Sequence, residues 1–274
     1  MLGPLASMTH IAFIGAGKMA SAMVRGLITQ HVYPATAISC ISGDDPTAAH
    51  LAAAAGIHCA AKPAALLQHA DIVVLACKPQ QLAALDAAYT SLTTGKLLLS
   101  ILAGTPLAKL RARFPHARNL VRAMPNTPGQ IGAGITAYCS LHPLAPADHS
   151  AIEAILASLG AVLELPENDL DPVTAVSGSG PAYLFEFTAA FRDAAIATGL
   201  SPAVAEKLVH ETIRGAAKLM EITGEHPDKL RDAVTSPGGT TAAALAVLQA
   251  GDFRELIKKA VAAAHQRSLE LAKL

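Results

Sequence analysis

Two stretches of this 274-residue chain place glycines and hydroxyls where a helix is about to begin. In the first, Thr235-Ser236-Pro237-Gly238-Gly239-Thr240-Thr241 runs into an Ala/Leu helix, with no charged side chain from Thr235 to Ala250. Free backbone N–H groups and the dipole of such a helix start make an anion site that needs no arginine. In the second, Gly15-Ala16-Gly17-Lys18-Met19-Ala20 has the G-x-G-x-x-A spacing of a dinucleotide fingerprint. Its first glycine allows a tight turn, and its second lets backbone approach a pyrophosphate. The spacing gains meaning from its context, because it follows an apolar strand, "HIAFIG", and opens a helix.

Other candidates lie where further strands end. Ser42-Gly43-Asp44-Asp45 closes the second strand, where a nucleotide ribose is read. Ser42 could bond a 2′-phosphate, as in NADPH, whereas Asp44 would repel one or hold the free hydroxyl of NADH. "ACKPQQ" and "LAGTP" follow two later strands, at the edge where ligands bind in such sheets. Lys78 there reads equally as a residue facing the coenzyme ribose or as a solvated helix start. In "RAMPNTP", Pro125 and Pro128 stiffen a loop around Asn126, whose side chain can donate and accept.

Several tempting patterns fail. "AVSGSGPAY" puts Ser179 among glycines, but a nucleophile elbow would need glycine at the positions of Ser177 and Pro181, and no strand precedes it. A tight helix start, with Ser179 as cap and Pro181 just inside, fits better, the glycines permitting close approach of backbone or ligand. His210, Glu211, Arg214 and Lys218 recur on neighbouring helical turns and read as a charged stripe rather than a catalytic cluster. The eleven histidines show no HxxxH or HExxH spacing, so no metal site is expected.

The elements that must hold these residues alternate regularly through the first half. "HIAFIG", "AISCIS", "DIVVLAC", "KLLLSIL" and "ARNLVRAM" read as strands. "KMASAMVRGLITQ", "TAAHLAAAA", "QQLAALDAAY" and "LAKLRARF" between them read as helices. Strands apolar on both faces indicate a parallel sheet covered on both sides. "GAGITAYCS" adds a strand, "APADHSAIEAILASLG" a helix ending at Gly160, and "AVLEL" one more strand. From Pro166 only helices are expected. Leu184, Phe187 and Phe191 share one stripe, and another helix has Ser201 as N-cap, Pro202 at its first position and Gly224 at its end. The last carries Phe253, Leu256, Ile257, Ala260, Val261 and Ala264 at the same spacing.

Composition narrows the class. The chain is 52% hydrophobic and 15% charged, yet its uncharged runs are broken by Pro and Gly before they could span a bilayer. Alanine-rich helices with little charge around their circumference suggest burial against another chain. Zero net charge without a basic run gives no argument for nucleic acid or an anionic membrane as partner. Cys40, Cys59, Cys77 and Cys139 form no CxxC pair, and three sit in apolar strands, as expected for reduced core thiols of a cytoplasmic protein. Met1–Ser7 precede a second methionine and lack a basic n-region, reading as a cloning remnant or early start rather than a signal peptide.

"FIGAGKMA", "ACKPQQ", "RAMPNTP", "AVSGSGPAY" and "TSPGGTT", in this order from Thr9 to about Leu271, resemble the pyrroline-5-carboxylate reductases. The pair "SGSGPAY" and "SPGGTT" is the most specific part. The resemblance implies a Rossmann-type doubly wound α/β domain over residues 8–165 and an all-α dimerisation and substrate-binding domain over 166–274. It implies NAD(P)H-dependent reduction of 1-pyrroline-5-carboxylate to L-proline, the last step of proline biosynthesis. It further implies a homodimer or larger oligomer, interlocked through the helical half, with the site between one subunit's nucleotide domain and its partner's helices. Carried over, Gly15, Gly17, Lys18 and Met19 would line the pyrophosphate. Ala76, Cys77, Lys78 and Pro79, with Ala103 and Gly104, would lie on the nicotinamide side. Ser236, Gly238, Gly239 and Thr240 would hold the substrate carboxylate, and Thr241 would face the ring nitrogen as the catalytic residue. Three positions depart from the family pattern: Pro63 and Ala233 stand where asparagine occurs, and Asp44-Asp45 replaces a hydroxyl-rich or basic segment. NADPH is the expected coenzyme, with NADH possible.

Two rivals remain at this level. A related two-domain reductase could act on another imine or on a β-hydroxy acid, but such acid dehydrogenases place a lysine on the first interdomain helix, and Ala182 to Gly199 contains none. A non-catalytic nucleotide-binding module would have no need of the Ser236–Thr241 loop.

Overall fold

In the computed structural model, residues 9–273 are described, so Met1–Ser7 and the expected domain start at residue 8 lie outside the described residues. Eight strands form one sheet: β1 (Ile11–Ile14), β2 (Ile38–Ile41), β3 (His58–Cys59), β4 (Ile72–Leu75), β5 (Leu97–Ser100), β6 (Asn119–Met124), β7 (Gly134–Ser140) and β8 (Gly160–Glu164). Their order is β3-β2-β1-β4-β5-β6-β7-β8. All neighbours run parallel except β6 and β7, so β7 and β8 point opposite to the rest. The chain first winds outward from β1 through β2 to β3, then returns to place β4 on the other side of β1. That reversal opens a crevice at the carboxyl ends of β1 and β4, where open α/β sheets bind ligands.

The helices of this part are α1 (Lys18–Thr29), α2 (Thr47–Ala55), α3 (Pro63–Leu67), α4 (Ala88–Leu92), α5 (Leu107–Arg113), α6 (Pro146–Ala157) and α7 (Leu170–Val173). Alternate residues of each strand feed opposite cores. Ile11, Phe13, Val74, Leu99 and Tyr138 pack with Met23, Leu27 and Ile155 on one face. Ala12, Val73, Leu98 and Leu120 pack with Leu110 and Phe114 on the other. This accounts for the two-sided apolar strands, since each face must be covered by a helix layer.

Two expected elements differ. "QQLAALDAAY" is not one helix: a 3-10 turn at Pro79–Gln81 is closed by Gln81, whose Oε1 accepts the Lys78 N–H at 2.8 Å. A short helix restarts only at Ala88, where Asp86 Oδ1 accepts the Ala88 N–H at 2.8 Å. Aspartate competes with helix continuation in this way. Ser179 is not a helix cap either. From α7 the chain passes through a π turn, Thr174–Gly178, directly into α8 (Gly180–Ala197), and Ser179 N–H donates to Thr174 O at 2.9 Å inside that run. The close approach falls to Gly178, where a Cβ would lie 2.6 Å from Met124 Cε.

α8 is followed by α9 (Pro202–Thr223), α10 (Pro227–Ala233), α11 (Thr240–Ala250) and α12 (Phe253–Lys273). Ser201 stands at the N-cap of α9 with Pro202 first, and Gly224 ends it in the left-handed conformation. By packing, the first compact unit reaches Ser179 and regains the residues from Ala264 on, and the second comprises Gly180–Ala263. α12 therefore belongs to both. The second unit leaves much apolar surface uncovered: Leu184, Phe185, Phe187, Phe191, Leu208 and Ile222 are all exposed. Among the described residues no helix is long and apolar enough to cross a membrane. Cys40 and Cys139 are buried, with burial pushing their thiols up to about 12 and about 11, while Cys59 is exposed; all four cysteines are free.

Candidate active site

The glycine loop sits at the crevice and is built by strand contacts. Gly15 N–H donates to Ile41 O and Ala76 N–H to Ile14 O, both at 2.8 Å, tying β1 to its two neighbours. Gly15 has φ +104, and a Cβ there would fall 2.5 Å from the Ala76 carbonyl. No other residue fits that place. Gly17 is different: it is extended, with φ −71, and its missing Cβ would point into open space with nothing within 4 Å. It is the N-cap of α1 and offers no capping side chain. The first helical bond from this end is Ser21 N–H to Gly17 O at 2.9 Å, so the N–H groups of Lys18, Met19 and Ala20 are left for a ligand. With no acidic residue in that turn, the cradle suits a pyrophosphate.

At the end of β2, Ser42 Oγ donates to Asp45 O at 2.8 Å and accepts the Ala48 N–H at 3.3 Å. Asp45 accepts from both the backbone and the hydroxyl of Thr47, and the Thr47 hydroxyl first holds its carboxyl below the usual range, with the Lys78 charge helping last. Ser42 and Asp45 are thus engaged in starting α2, while Asp44 is exposed beside them. After β4, Ala76, Cys77 and Pro79 are half-buried and Lys78 is exposed. Burial pushes the Cys77 thiol up, so it offers no reactive thiolate. After β5, Ala103 is exposed, whereas Gly104, with φ +63, is buried.

Asn126 has a structural duty. Its Oδ1 accepts the Ile135 N–H at 3.0 Å, pinning the turn between β6 and β7.

The hydroxyl-rich loop lies in the second unit. Thr235 Oγ1 donates to Arg231 O at 2.6 Å, anchoring the loop to α10. Gly238 takes φ +71, and Gly239 N–H closes the turn on Ser236 O at 3.0 Å. A Cβ on Gly239 would lie 2.5 Å from Ser236 Oγ, so the hydroxyl sits directly against the helix start. α11 has no side-chain cap and no acidic residue in its first turn. Its first bond is Ala243 N–H to Gly239 O at 3.1 Å, which frees the N–H groups of Thr240, Thr241 and Ala242. Thr241 is half-buried. His210, Glu211, Arg214 and Lys218 are exposed along α9, with an i,i+3 ion pair from Arg214 to Glu211. Among the described residues no group of three or more His, Cys, Asp or Glu could hold a metal ion.

A doubly wound sheet with a glycine-lined helix start, followed by a helical unit, has the architecture of a two-domain dinucleotide-dependent reductase. Comparisons with known proteins narrow this. Residues 167–271 match the family described as pyrroline-5-carboxylate reductase dimerisation, and residues 10–104 match NADP oxidoreductase coenzyme F420-dependent. A pyrroline-5-carboxylate reductase of Synechocystis is 39% identical over 268 residues, 96% of this chain and 98% of that protein. A solved pyrroline-5-carboxylate reductase from Coxiella burnetii superposes with TM-score 0.89 at 34% identity, covering 98% of this chain and all of that one. The pyrroline carboxylate reductase of Plasmodium falciparum, solved with NADP bound, gives TM-score 0.87 at 29% identity over 96% of this chain and 98% of its own. The chain belongs to the pyrroline-5-carboxylate reductase family.

Proposed function

We propose that this protein reduces 1-pyrroline-5-carboxylate to L-proline with NADPH, NADH being usable, as the last step of proline biosynthesis in the cytoplasm. The observation that carries the reading is the uncharged helix start at Ser236–Thr241, with three free N–H groups beside the hydroxyls of Ser236, Thr240 and Thr241. Residues 8–165 form the dinucleotide-binding part. Residues 166–274 form the dimerisation and substrate-binding part, whose uncovered apolar faces supply the contacts of a homodimer or larger oligomer.

The substrate is a cyclic imine bearing a carboxylate. When bound, the reduced nicotinamide supplies the hydride that adds to C5, and the ring nitrogen ends as an amine. Gly17, Lys18 and Met19 hold the pyrophosphate against the start of α1. Ala76, Cys77, Lys78, Pro79, Ala103 and Gly104 shape the nicotinamide side, while Ser42 and Asn126 border the edge. Gly238 and Gly239 shape the turn, the Gly239 N–H being taken by Ser236 O, and the free amides from Thr240 onward hold the substrate carboxylate, helped by Ser236 Oγ. This clamp adds no fixed positive charge to repel an iminium. Orientation of this kind supplies about 7–11 kcal/mol of the barrier. Thr241 Oγ1 meets the ring nitrogen and orients it; its hydroxyl is too weak an acid to be the proton's source, so the proton arrives on the substrate or through a water.

A steady-state assay with the imine and each coenzyme tests this. Imine-dependent NADPH oxidation yielding proline is expected, with proline competitive against the imine. A carboxylate-free ring amine that inhibits as well as proline would refute the amide clamp.

A further inference from the structure

A ring of contacts surrounds the Ala103–Pro106 loop. Arg122 lies on β6 with its side chain 5% exposed. Its Nη2 is 3.0 Å from Asp171 Oδ1, and its Nη1 is 3.4 Å from Glu167 Oε1. Each carboxylate reaches further. Glu167 Oε1 accepts the N–H of Leu107, the first residue of α5, at 2.7 Å. Asp171 Oδ1 accepts the hydroxyl of Ser268, near the end of α12, at 2.8 Å. Just beyond Ser268, Leu271 packs on Gly104, where an added Cβ would sit 3.1 Å from Leu271 Cβ. The path closes: Arg122 to Glu167 to Leu107, back along the loop to Gly104, across to Leu271 and Ser268, and through Asp171 to Arg122.

We propose that Arg122 is a positioning residue of the coenzyme site. It fixes the loop's downstream end through Glu167 and its outer wall through Asp171 and the end of α12. The inference rests on the reading that Ala103 and Gly104 border the nicotinamide. A buried ion pair adds little net stability over an apolar replacement, but its geometry is directional. One planar guanidinium with two carboxylates sets two distant backbone segments at once, which an apolar side chain of the same size would not. Gly104 takes its left-handed conformation, φ +63, without strain of its own, so its place against Leu271 is set by the contacts around it.

The test uses Ser268→Ala and Arg122→Lys. The first removes one hydroxyl while Asp171 keeps its guanidinium, so no charge is orphaned. The second keeps the cation but loses the fork. Amide hydrogen exchange of Gly104–Leu107 is measured in the coenzyme-free protein, with melting temperature as control. NADPH dissociation constants come from its fluorescence, and the imine KM is taken at saturating NADPH. Ser268→Ala should speed exchange at Gly104–Leu107 and raise the NADPH dissociation constant about tenfold, the scale of one hydrogen bond to a charged group. The imine KM should stay within about twofold and melting nearly unchanged, and the double variant should fall short of the product of the single effects, as for members of one network. Unchanged exchange at Gly104–Leu107, or imine KM rising in step with the NADPH constant, would overturn the proposal. A wild-type protein that binds no NADPH would sink the coenzyme reading alone, since exchange in the free protein still decides the ring.

Discussion

Gly17→Ala separates ligand space from fold space at the coenzyme cradle. The position has φ −71 and ψ −172, a conformation open to any residue, and an added methyl meets nothing within 4 Å. Alanine is a poorer N-cap than glycine by roughly 0.5–1 kcal/mol. Against this, it removes unfolded-state freedom worth about 0.4–1 kcal/mol. The two nearly cancel, so melting should move by no more than about 2–4 °C. A pyrophosphate on the Lys18 and Met19 amides has no such tolerance, because the methyl extends about 1.5 Å into its place. Loss of one or two charge-assisted hydrogen bonds, at about 1.5–3 kcal/mol each, weakens NADPH binding at least tenfold, on the order of 10² to 10⁴ if both go. Gly15→Ala is the contrasting control. Its Cβ would lie 2.5 Å from the Ala76 carbonyl at φ +104, combining overpacking of about 1–3 kcal/mol with backbone strain of similar size, so it should melt far lower. Fluorescence titration of NADPH and a thermal melt on each variant decide the matter. Normal NADPH affinity in Gly17→Ala would refute the cradle.

Thr241→Ala should lower kcat about 10²-fold, as for removal of one positioned donor, with the NADPH dissociation constant unchanged. A parallel loss of coenzyme affinity would take Thr241 off the substrate side. Phe185→Glu places a charge on the exposed face of α8 without disturbing the subunit core, and light scattering should show a smaller particle. An unchanged mass would move the interface elsewhere. Burial, followed by the charges of Asp86 and Cys77, pushes the Tyr89 hydroxyl up to about 12. The folded state therefore keeps a proton that the unfolded chain loses near pH 10, so stability is full below pH 10 and falls as pH rises toward about 12. Tyr89→Phe should shallow that alkaline decline in melting temperature; an identical decline would refute the assignment.

The sheet was legible because its signal is local. Short β-branched apolar runs such as "DIVVLAC", alternating with helical patterns, read as strands covered on both sides, and Gly15 and Gly17 fall in one short segment. Elements failed to match where a side chain competes with the backbone, as when Asp86 restarts a helix at Ala88. At Ser179 the cap signal was overridden by the π turn that feeds α8. The Arg122 ring carries no sequence signal, since Arg122 lies 45 and 49 residues from Glu167 and Asp171, and Asp171 lies 97 from Ser268. No spacing rule spans such distances. Only folding brings them together.

That last separation sets a clock. A ribosome adds about 5–20 residues per second, so roughly 5–20 s pass between synthesis of Asp171 and of Ser268. Throughout that interval every strand already exists, yet the surface awaiting α12 lies open. A nascent chain paused in this window carries a nearly finished nucleotide domain with an unfilled seam beside Gly104, the kind of exposed site that chaperones and proteases inspect first.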